Sequence, residues 1–596
     1  MADPGFPATM CEAFQATAAR YPQEVALRTP GGAVTITWQA YAGRVRQIAA
    51  GLAGLGVGRG DTVALMMTNR PEFHLADTAA FHLGAIPFSV YNTFAAEQIA
   101  QVLANAGNRV VLCEEQFVPR LAGVTGGTAV EQVVCVDGHP AGTVTLEKMA
   151  ADGDPGFGFE ACWQAVQADD VLTLIYTSGT TGPPKGVETT HAQMLAEIAA
   201  TEALLPGGAS DRLVSYLPMA HIAERGVSHY RAMFSGGQVT SLADAKGLPG
   251  ALADARPTIL FGVPRVWEKL KAGIDALVAY EPDQARRQAV QEAFGVAHEY
   301  AGAVQAGQVP DGLAEAYRRA DERVLSAIRQ LLGLDQVRLA LSGAAPIAPE
   351  VLTFMLALGI PVIEVWGMSE CSGAGTVNPP GAIRIGTVGK AIPGVQLTLA
   401  DDGELLLRGP IVMKGYRNDP ARTAEAIDPD GWLHTGDLAA IDEDGYVTIT
   451  GRKKELIINT AGKNMSPAAI ESAVLAASLL IAQVVAVGDR RPYIVALIAL
   501  DPDATAAFAA QHGIADPAPA VLAGHPAIRA AVSAAVDTAN TKLSRVEQIK
   551  QFAIVPAYWE PGGDEITPTM KLKRHAVTAK YADVIESLYT AAGEPA

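Results

Sequence analysis

Residues 176–187 read Tyr-Thr-Ser-Gly-Thr-Thr-Gly-Pro-Pro-Lys-Gly-Val, directly after the apolar run Val-Leu-Thr-Leu-Ile at 171–175. An apolar run that ends in Ser, Thr and Gly predicts a buried strand followed by a flexible loop rich in hydrogen-bond donors. The backbone N–H groups and hydroxyls of such a loop can approach phosphate oxygens, and Lys185 adds a positive charge. The stretch therefore indicates an enzyme that handles a nucleoside triphosphate.

This loop differs from the P-loop, which requires Gly, four residues and then Gly-Lys-Ser/Thr. Lys185 follows Pro184, and no Gly-Lys-Ser/Thr triplet occurs in the chain. Composition alone leaves open an ordinary surface turn rich in Gly, Ser and Thr.

Bulk composition limits the partners of the chain. At 596 residues it should divide into about two to four domains. Its 45 basic and 63 acidic residues give a net charge of −18, which argues against nucleic acid as a partner. The five cysteines lack any Cys-x-x-Cys pair, so we expect neither structural zinc nor a disulfide framework, and a reducing, cytoplasmic compartment fits best.

Targeting signals are not evident in the sequence. The start, Met1-Ala2-Asp3-Pro4, lacks a basic segment followed by an apolar core, and no apolar stretch is long enough to span a bilayer. We expect a soluble protein, with attachment to a membrane surface left open.

Strands and helices alternate from residue 62 onward, which predicts a parallel, doubly wound α/β sheet. The predicted strands are 63–67, 85–90 and 110–113, and the predicted helices are 72–83 and 95–105. The nearby glycines at 54, 56, 58 and 60 do not fit the spacing of a dinucleotide site.

Four further regions complete the predicted organisation. A second α/β stretch covers 188–265, and residues 266–332, rich in Ala, Glu, Gln and Arg, read as two or three inserted helices. Residues 380–450 predict a small β-subdomain, because glycines punctuate short strand-like runs. A boundary near residue 451 leaves 452–596 as a small α+β domain.

Five more motifs follow the opening loop in the chain. They are Leu-Ser-Gly-Ala-Ala-Pro at 341–346, Val-Trp-Gly-Met-Ser-Glu at 365–370, Gly-Trp-Leu-His-Thr-Gly-Asp at 431–437, Gly-Arg-Lys-Lys-Glu-Leu-Ile at 451–457 and Thr-Pro-Thr-Met-Lys-Leu-Lys-Arg at 567–574. A loop of small residues lets a flat ring lie against the backbone. An aromatic residue followed by Gly offers a stacking face, the carboxylate of Glu370 can hold Mg²⁺, and Asp437 can accept ribose hydroxyls. Each motif alone also fits an ordinary turn or helix cap.

In this order the motifs resemble those of the adenylate-forming superfamily over nearly the whole chain. Two strings resemble its long-chain acyl-CoA synthetase branch, including the bubblegum type: Ser-Tyr-Leu-Pro-Met-Ala-His-Ile-Ala-Glu-Arg at 215–225 and Arg-Pro-Thr-Ile-Leu-Phe-Gly-Val-Pro-Arg-Val-Trp-Glu-Lys at 256–269. The resemblance implies an AMP-binding (adenylation) domain at 1–451 with a helical insert at about 266–332. It also implies a hinge to a mobile C-terminal domain at 452–596.

The resemblance assigns roles to individual residues. The phosphates of ATP would be held by Thr177, Ser178, Gly179, Thr180, Thr181, Gly182 and Lys185. Adenine would lie against Gly343, Ala344, Ala345, Trp366 and Gly367. Ser369 would approach the α-phosphate, Glu370 would bind Mg²⁺, Asp437 would hold the ribose and Arg452 would assist it. Lys571 would be the catalytic lysine, with Lys573 as a rival, Lys454 the hinge and His221 a residue near the acyl group.

The implied reaction joins a long-chain fatty acid to coenzyme A at the expense of ATP, through an acyl-adenylate. One alternative is a ligase that passes the acyl group to a carrier-protein thiol, and another is a non-catalytic binding relative. The acyl chain length and the oligomeric state stay open. Arg225 has no evident role, and we expect Glu224 to pair with it.

Overall fold

An eight-stranded sheet with a parallel centre forms the scaffold of the N-terminal part. It is seen in a computed structural model that describes residues 6–177, 184–279, 281–460, 463–560, 562–567 and 571–590. In spatial order the strands are Gly415–Tyr416, Lys185–Thr190, Val171–Thr177, Ile86–Ser89, Thr62–Met66, Val110–Cys113, Gln132–Cys135 and Val144–Thr145. The last six of these run parallel, so the predicted doubly wound sheet is confirmed.

Two more sheets complete the α/β part of the chain. One has the order Arg212–Ser215, Gln238–Ser241, Val25–Arg28 and Thr35–Thr37. The other has the order Ile259–Gly262, Leu339–Ser342, Val362–Trp366, Thr376–Val377 and Lys390–Ala391. Its first three strands are parallel, so their carboxyl ends meet at one edge, where two of the sequence motifs begin.

The predicted β-subdomain is an antiparallel sheet. Its strands are Gln396–Leu399, Glu404–Arg408, Leu433–Ile441 and Val447–Arg452. The last strand runs one residue past position 451, where the sequence placed the domain boundary.

Helices cover the sheets and form the insert. Up to residue 451 they are Met10–Arg20, Trp38–Gly54, Pro71–His82, Ala96–Ala106, Val118–Ala122, Leu146–Ala151, Phe159–Gln164, His191–Leu204, Ile222–Glu224, Arg231–Ser235, Leu248–Ala255, Pro264–Ala279, Gln284–Gln305, Asp311–Ala320, Ser326–Leu331, Pro349–Ala357 and Pro420–Ala426. Four of them, from Pro264–Ala279 to Ser326–Leu331, lie between two neighbouring parallel strands. No helix in the described part of the chain is both long and apolar enough to cross a membrane.

The C-terminal part has its own small sheet and core. Its strands are Ile481–Val487, Ile494–Leu500 and Ile549–Ile554, with a hairpin of Ile457–Ile458 and Asn464–Met465. Its helices are Pro467–Leu475, Pro502–Gln511, Pro519–Gly524, Pro526–Asn540, Arg574–Lys580 and Ala582–Thr590. The central strand, Ile494–Leu500, is buried along its whole length, because helices cover both of its faces.

A buried ion pair ties the helix Pro71–His82 to the segment after His221. Arg225 is fully buried and pairs with Asp77 at 2.6 Å, so the expected pairing with Glu224 was wrong. His229 lies 2.9 Å from the other oxygen of Asp77. Burial would raise the pKa of Asp77, but the charges of Arg225 and His229 hold it below its ordinary value.

Replacing Asp77 by Asn should lower the free energy of unfolding of the N-terminal part by about 3 kcal/mol, because the Arg225 guanidinium would stay buried without a counter-charge. Urea denaturation followed by tryptophan fluorescence measures this change. Asp152→Asn serves as the control, since Asp152 pairs with Lys148 on the surface. Equal, small changes in both variants would contradict a stabilising role for the buried pair.

Candidate functional site

The two ends of the Ser/Thr/Gly loop are adjacent strand residues. Thr177 ends one strand, Lys185 begins the next, and the two pair in antiparallel register. The predicted phosphate ligands Ser178, Gly179, Thr180, Thr181 and Gly182 lie outside the described residues. The Lys185 ammonium lies 4.8 Å from the centre of the Tyr416 ring. The end of this loop is therefore beside Tyr416.

Tyr416 joins Lys185 to the predicted magnesium ligand. Its hydroxyl donates a hydrogen bond of 2.9 Å to Oε1 of Glu370. Burial, followed by the charge of Glu370, raises the pKa of Tyr416, so the phenol stays protonated and remains a donor. Sequence reasoning missed Tyr416, because a Gly-Tyr pair next to a polar turn carries no distinctive signal.

The predicted adenine loop owes its shape to glycine. A Cβ on Gly343 would lie 2.8 Å from the Val365 carbonyl oxygen, and one on Gly367 would lie 1.8 Å from the Gly373 carbonyl oxygen. Neither position can carry a side chain without moving backbone. Ala344 has φ +70°, a left-handed conformation that costs energy for a residue with a side chain. The loop 343–345 therefore has a strained backbone at the carboxyl edge of the sheet and exposes only the small residues Ala344 and Ala345.

Two buried polar side chains lie beside this loop. Ser342 and Glu364 pair in register on neighbouring parallel strands, so their side chains share one face of the sheet. Ser342 Oγ and Glu364 Oε2 are buried without a hydrogen-bond partner among the described residues. Burial raises the pKa of Glu364 to about 8. Sequence reasoning missed both residues, although each stands directly beside or inside a motif that it singled out.

Trp366 contributes an indole N–H as well as a ring. Its Nε1 donates a 2.8 Å hydrogen bond to Oδ2 of Asp437, the predicted ribose ligand. Arg452 Nε lies 2.9 Å from Oδ1 of the same carboxylate, because Asp437 and Arg452 pair on neighbouring strands. Each carboxylate oxygen keeps further acceptor capacity, so Asp437 is fixed in orientation and can still accept hydroxyls.

Lys571 enters the same region from the C-terminal part. The backbone around it is closed by a hydrogen bond of 2.8 Å from Thr567 N to Lys571 O. Lys571 keeps an exposed surface, yet desolvation by the surrounding protein lowers the pKa of its ammonium. The charge of Arg452 lowers this pKa further, whereas the carboxylates of Asp437 and Glu370 raise it. The ammonium therefore lies within electrostatic reach of the predicted ribose and magnesium ligands.

Lys573, the rival within the motif, has a structural partner. Its ammonium donates a 2.8 Å hydrogen bond to the Gly563 carbonyl oxygen and so closes the turn that precedes Lys571. The geometry therefore favours Lys571 as the lysine that reaches the site.

His221 lies close enough to Lys571 for the ammonium charge to act on its pKa. Burial, followed by the Lys571 ammonium, lowers the pKa of His221 to about 3, so the imidazole is neutral at physiological pH. Its Nδ1 accepts a 3.2 Å hydrogen bond from the Ala223 N–H, which leaves the proton on Nε2. The ring is therefore a neutral hydrogen-bond donor at the edge of the site.

The remaining predicted residues lie around this group. Ser369 is buried and begins the short turn Ser369–Cys371, directly before Glu370. Ala345 is exposed on the adenine loop. Lys454 is exposed in the turn after the strand that ends at Arg452, and this turn is closed by a hydrogen bond from Glu455 N to Arg452 O. Burial raises the pKa of the Cys371 thiol to about 12, which agrees with a buried structural cysteine.

The described residues contain no cluster of three or more His, Cys, Asp or Glu that could enclose a metal ion. Glu370 still suits Mg²⁺, which binds beside phosphates through only one or two protein carboxylates. Glu370 is 8% exposed, and the hydroxyl of Tyr416, whose ring faces the Lys185 ammonium, orients its carboxylate.

Comparison with known proteins identifies the family of the chain. Residues 14–417 match the family described as AMP-binding enzyme, and residues 454–593 match the AMP-binding enzyme C-terminal domain. A Mycobacterium tuberculosis protein named as a fatty-acid–CoA ligase, fadD11, is 54% identical over 76% of this chain and 80% of its own. The long-chain-fatty-acid–CoA ligase FadD15 of Mycobacterium bovis is 37% identical over 93% of this chain and 92% of its own.

Two further relatives extend the comparison. The long-chain-fatty-acid–CoA ligase ACSBG2 of Gallus gallus is 32% identical over 99% of this chain and 82% of its own. Among solved structures, the anthranilate CoA ligase AuaEII in complex with anthranoyl-AMP has a TM-score of 0.73 at 20% identity, covering 99% of this chain and all of that one, and it shows the shared fold. The chain belongs to the AMP-binding enzymes, in the branch of the long-chain fatty-acid–CoA ligases that includes the bubblegum type.

Proposed function

We propose that this protein activates a long-chain fatty acid with ATP to an acyl-adenylate and transfers the acyl group to coenzyme A. The observation that carries the proposal is the carboxylate of Asp437, which Trp366 and Arg452 hold at 2.8 and 2.9 Å. Lys571 of the C-terminal part lies near enough for Asp437 and Glu370 to act on the pKa of its ammonium. Fatty-acid–CoA ligases among the relatives support the choice of substrates.

The first step joins two anions, and the site offsets their repulsion. A carboxylate oxygen of the fatty acid attacks the α-phosphorus of ATP, the bond to the β-phosphate oxygen breaks, and pyrophosphate leaves. Negative charge grows on the oxygens of the α-phosphate during the attack, and Lys571 places positive charge beside them. Lys185 places positive charge beside the leaving β- and γ-phosphates. The neutral Nε2–H of His221 is suited to donate to an oxygen of the fatty carboxylate.

The nucleotide is positioned by the other groups of the site. The small exposed residues Ala344 and Ala345 suit a flat adenine ring, and the carboxyl group of Glu364 suits its exocyclic amine. Asp437, oriented by Trp366 and Arg452, suits the ribose hydroxyls. Glu370 would hold Mg²⁺, which supplies positive charge to the phosphates when it is bound.

The second step requires a different arrangement. The thiolate of coenzyme A attacks the acyl carbon, the bond to the AMP phosphate breaks, and AMP leaves. Lys571 would then occupy the space beside the adenylate, so rotation of the C-terminal part about Lys454 gives the thiol access. Lys454 is exposed in the turn that follows the last strand of the β-subdomain, and this position fits a hinge.

Composition supports a cytoplasmic location and limits the partners of the chain. The five cysteines are free, and four of them are buried, which suits a reducing cytoplasm. The net charge of −18 disfavours nucleic acid, and contact with a membrane surface that supplies the fatty acid is part of the proposal.

A direct test measures AMP release by the purified protein with ATP, Mg²⁺ and a panel of carboxylic acids, with and without coenzyme A. We expect turnover that depends on coenzyme A and is greatest with long acyl chains. Acyl-adenylate that accumulates without any response to coenzyme A would instead indicate a carrier-protein thiol as the acceptor. No adenylate with any acid would contradict the enzyme function itself.

Lys571→Ala should lower the rate of adenylation by about a hundredfold or more, because the charge that offsets the anionic transition state is lost. Exchange of labelled pyrophosphate into ATP measures this half-reaction. Thioester formation from supplied acyl-adenylate should stay close to that of the unmodified protein. Lys573→Met is the matched comparison. This variant should retain far more exchange, because the Lys573 ammonium that it removes supports a turn. Equal loss of both half-reactions in Lys571→Ala would argue against the assigned role.

Adenylation should decline as the pH rises through a value below the ordinary lysine pKa of 10.5, because desolvation and Arg452 lower the pKa of Lys571. Only the protonated amine carries the required charge, so the loss lies on the alkaline side. Pyrophosphate exchange measured from about pH 7 to about pH 10 locates it. Lys571→Arg keeps its charge throughout this range, so its residual activity should lack the alkaline decline. The same decline in both proteins would refute the assignment.

A further inference from the structure

One half-buried ion pair connects the N-terminal and C-terminal parts away from Lys571. Arg265 NH2 lies 2.8 Å from Oδ2 of Asp501, and the two side chains are 21% and 8% exposed. Arg265 belongs to the branch-specific string at 256–269, whose charges the proposed mechanism does not use. Asp501 belongs to the C-terminal part, directly after the strand Ile494–Leu500.

The carboxylate of Asp501 is held by two sets of partners. Oδ1 accepts hydrogen bonds from the N–H groups of Asp503 and Ala504, at 3.1 and 3.0 Å, and so caps the helix Pro502–Gln511. Oδ2 is left to face Arg265. Burial would raise the pKa of Asp501, but the Ala504 N–H and Arg265 hold it below its ordinary value, so the group is charged.

The guanidinium of Arg265 is also fixed from its own side. Its NH1 lies 3.2 Å from Glu268, one turn further along the helix Pro264–Ala279. Lys269 on the same helix lies 3.9 Å from Asp501 and 3.7 Å from Asp503. Two cations of one domain therefore face two carboxylates of the other, so the orientation of the contact is specified by charge.

Both ends of the contact are attached to rigid parts of the site. Arg265 stands three residues after the strand Ile259–Gly262, which pairs in register with the strand that ends at Ser342, directly before the adenine loop. Asp501 follows the central strand of the C-terminal sheet, which pairs with Ile549–Ile554. The ion pair thus joins the nucleotide-binding edge of one sheet to the core of the domain that carries Lys571.

We propose that Arg265 and Asp501 are positioning residues for adenylation, which hold the C-terminal domain in the orientation that brings Lys571 to the nucleotide. This inference rests on the proposed two-step reaction. The pair lies apart from the residues assigned to the nucleotide and the acyl group, and its proposed effect is to favour one domain orientation. It must separate before coenzyme A reacts, since rotation about Lys454 carries Asp501 away with Lys571.

Asp501→Asn is the sharpest variant, because Asn keeps an oxygen that caps the helix while it removes the charge that Arg265 faces. Arg265→Gln removes the other charge. Each variant should lower pyrophosphate exchange by about tenfold and leave thioester formation from supplied acyl-adenylate unchanged or faster. Arg265→Lys should recover part of the exchange, since a point charge replaces the planar guanidinium. The double variant should be no worse than either single variant.

The control is a second ion pair between the two parts, Lys542 with Glu350 at 2.6 Å, whose side chains are 46% and 52% exposed. Glu350→Gln should change neither half-reaction measurably, because exposed pairs contribute little. High salt should lower exchange by the unmodified protein more than exchange by Asp501→Asn.

A readout without turnover separates this inference from the proposed function. Trypsin should cut the hinge segment 452–454 faster in Asp501→Asn and Arg265→Gln than in the unmodified protein or Glu350→Gln. If the protein forms no adenylate but the variants are still cleaved faster, the result contradicts the proposed function and supports the role of the ion pair in domain orientation. Unchanged cleavage and exchange in the variants, or equal loss of both half-reactions, would overturn the contact's role.

Discussion

The electrostatic repulsion between a fatty carboxylate and a nucleoside triphosphate is the constraint on which this architecture depends. A permanent cluster of cations would bind both anions well but would also hold the product. The chain instead divides its charge between two domains. In the proposed reaction, Lys185 of the large domain stays with the phosphates, whereas Lys571 of the small domain is withdrawn. Positive charge at the reacting atoms thus becomes a property of domain orientation.

The large domain supplies rigidity at the points where the nucleotide must be held. Asp437 receives one hydrogen bond from Trp366 and one from Arg452, so its orientation is set before any ligand arrives. Gly343 and Gly367 allow backbone segments to approach more closely than any side chain would permit. Such preorganisation lowers the entropy that binding must remove, and it leaves motion to the junction between the domains.

Much of this arrangement could be predicted from the sequence, because the motifs stand at the ends of strands and their spacing reflects local structure. The parallel sheet, the turn-rich β-subdomain and the order of the motifs all depend on patterns within a few residues. Tyr416, Glu364 and the pairing of Arg225 with Asp77 could not be predicted, because each depends on which distant strands and helices become neighbours. Residues 178–182 illustrate a different limit, since the motif names them while their arrangement lies outside the described residues.

Arg452 has a consequence for protein engineering. It ends a strand of the β-subdomain, it is the partner of Asp437, and the next residue, Lys453, donates its N–H to the Gly436 carbonyl oxygen. Structurally, the large domain therefore extends through Lys453. A chimaera that takes its C-terminal domain from another ligase should be joined at Lys454. A junction placed one or two residues earlier would replace the partner of Asp437, the proposed ribose ligand, together with the domain. A change in nucleotide affinity would then be mistaken for a change in acceptor specificity.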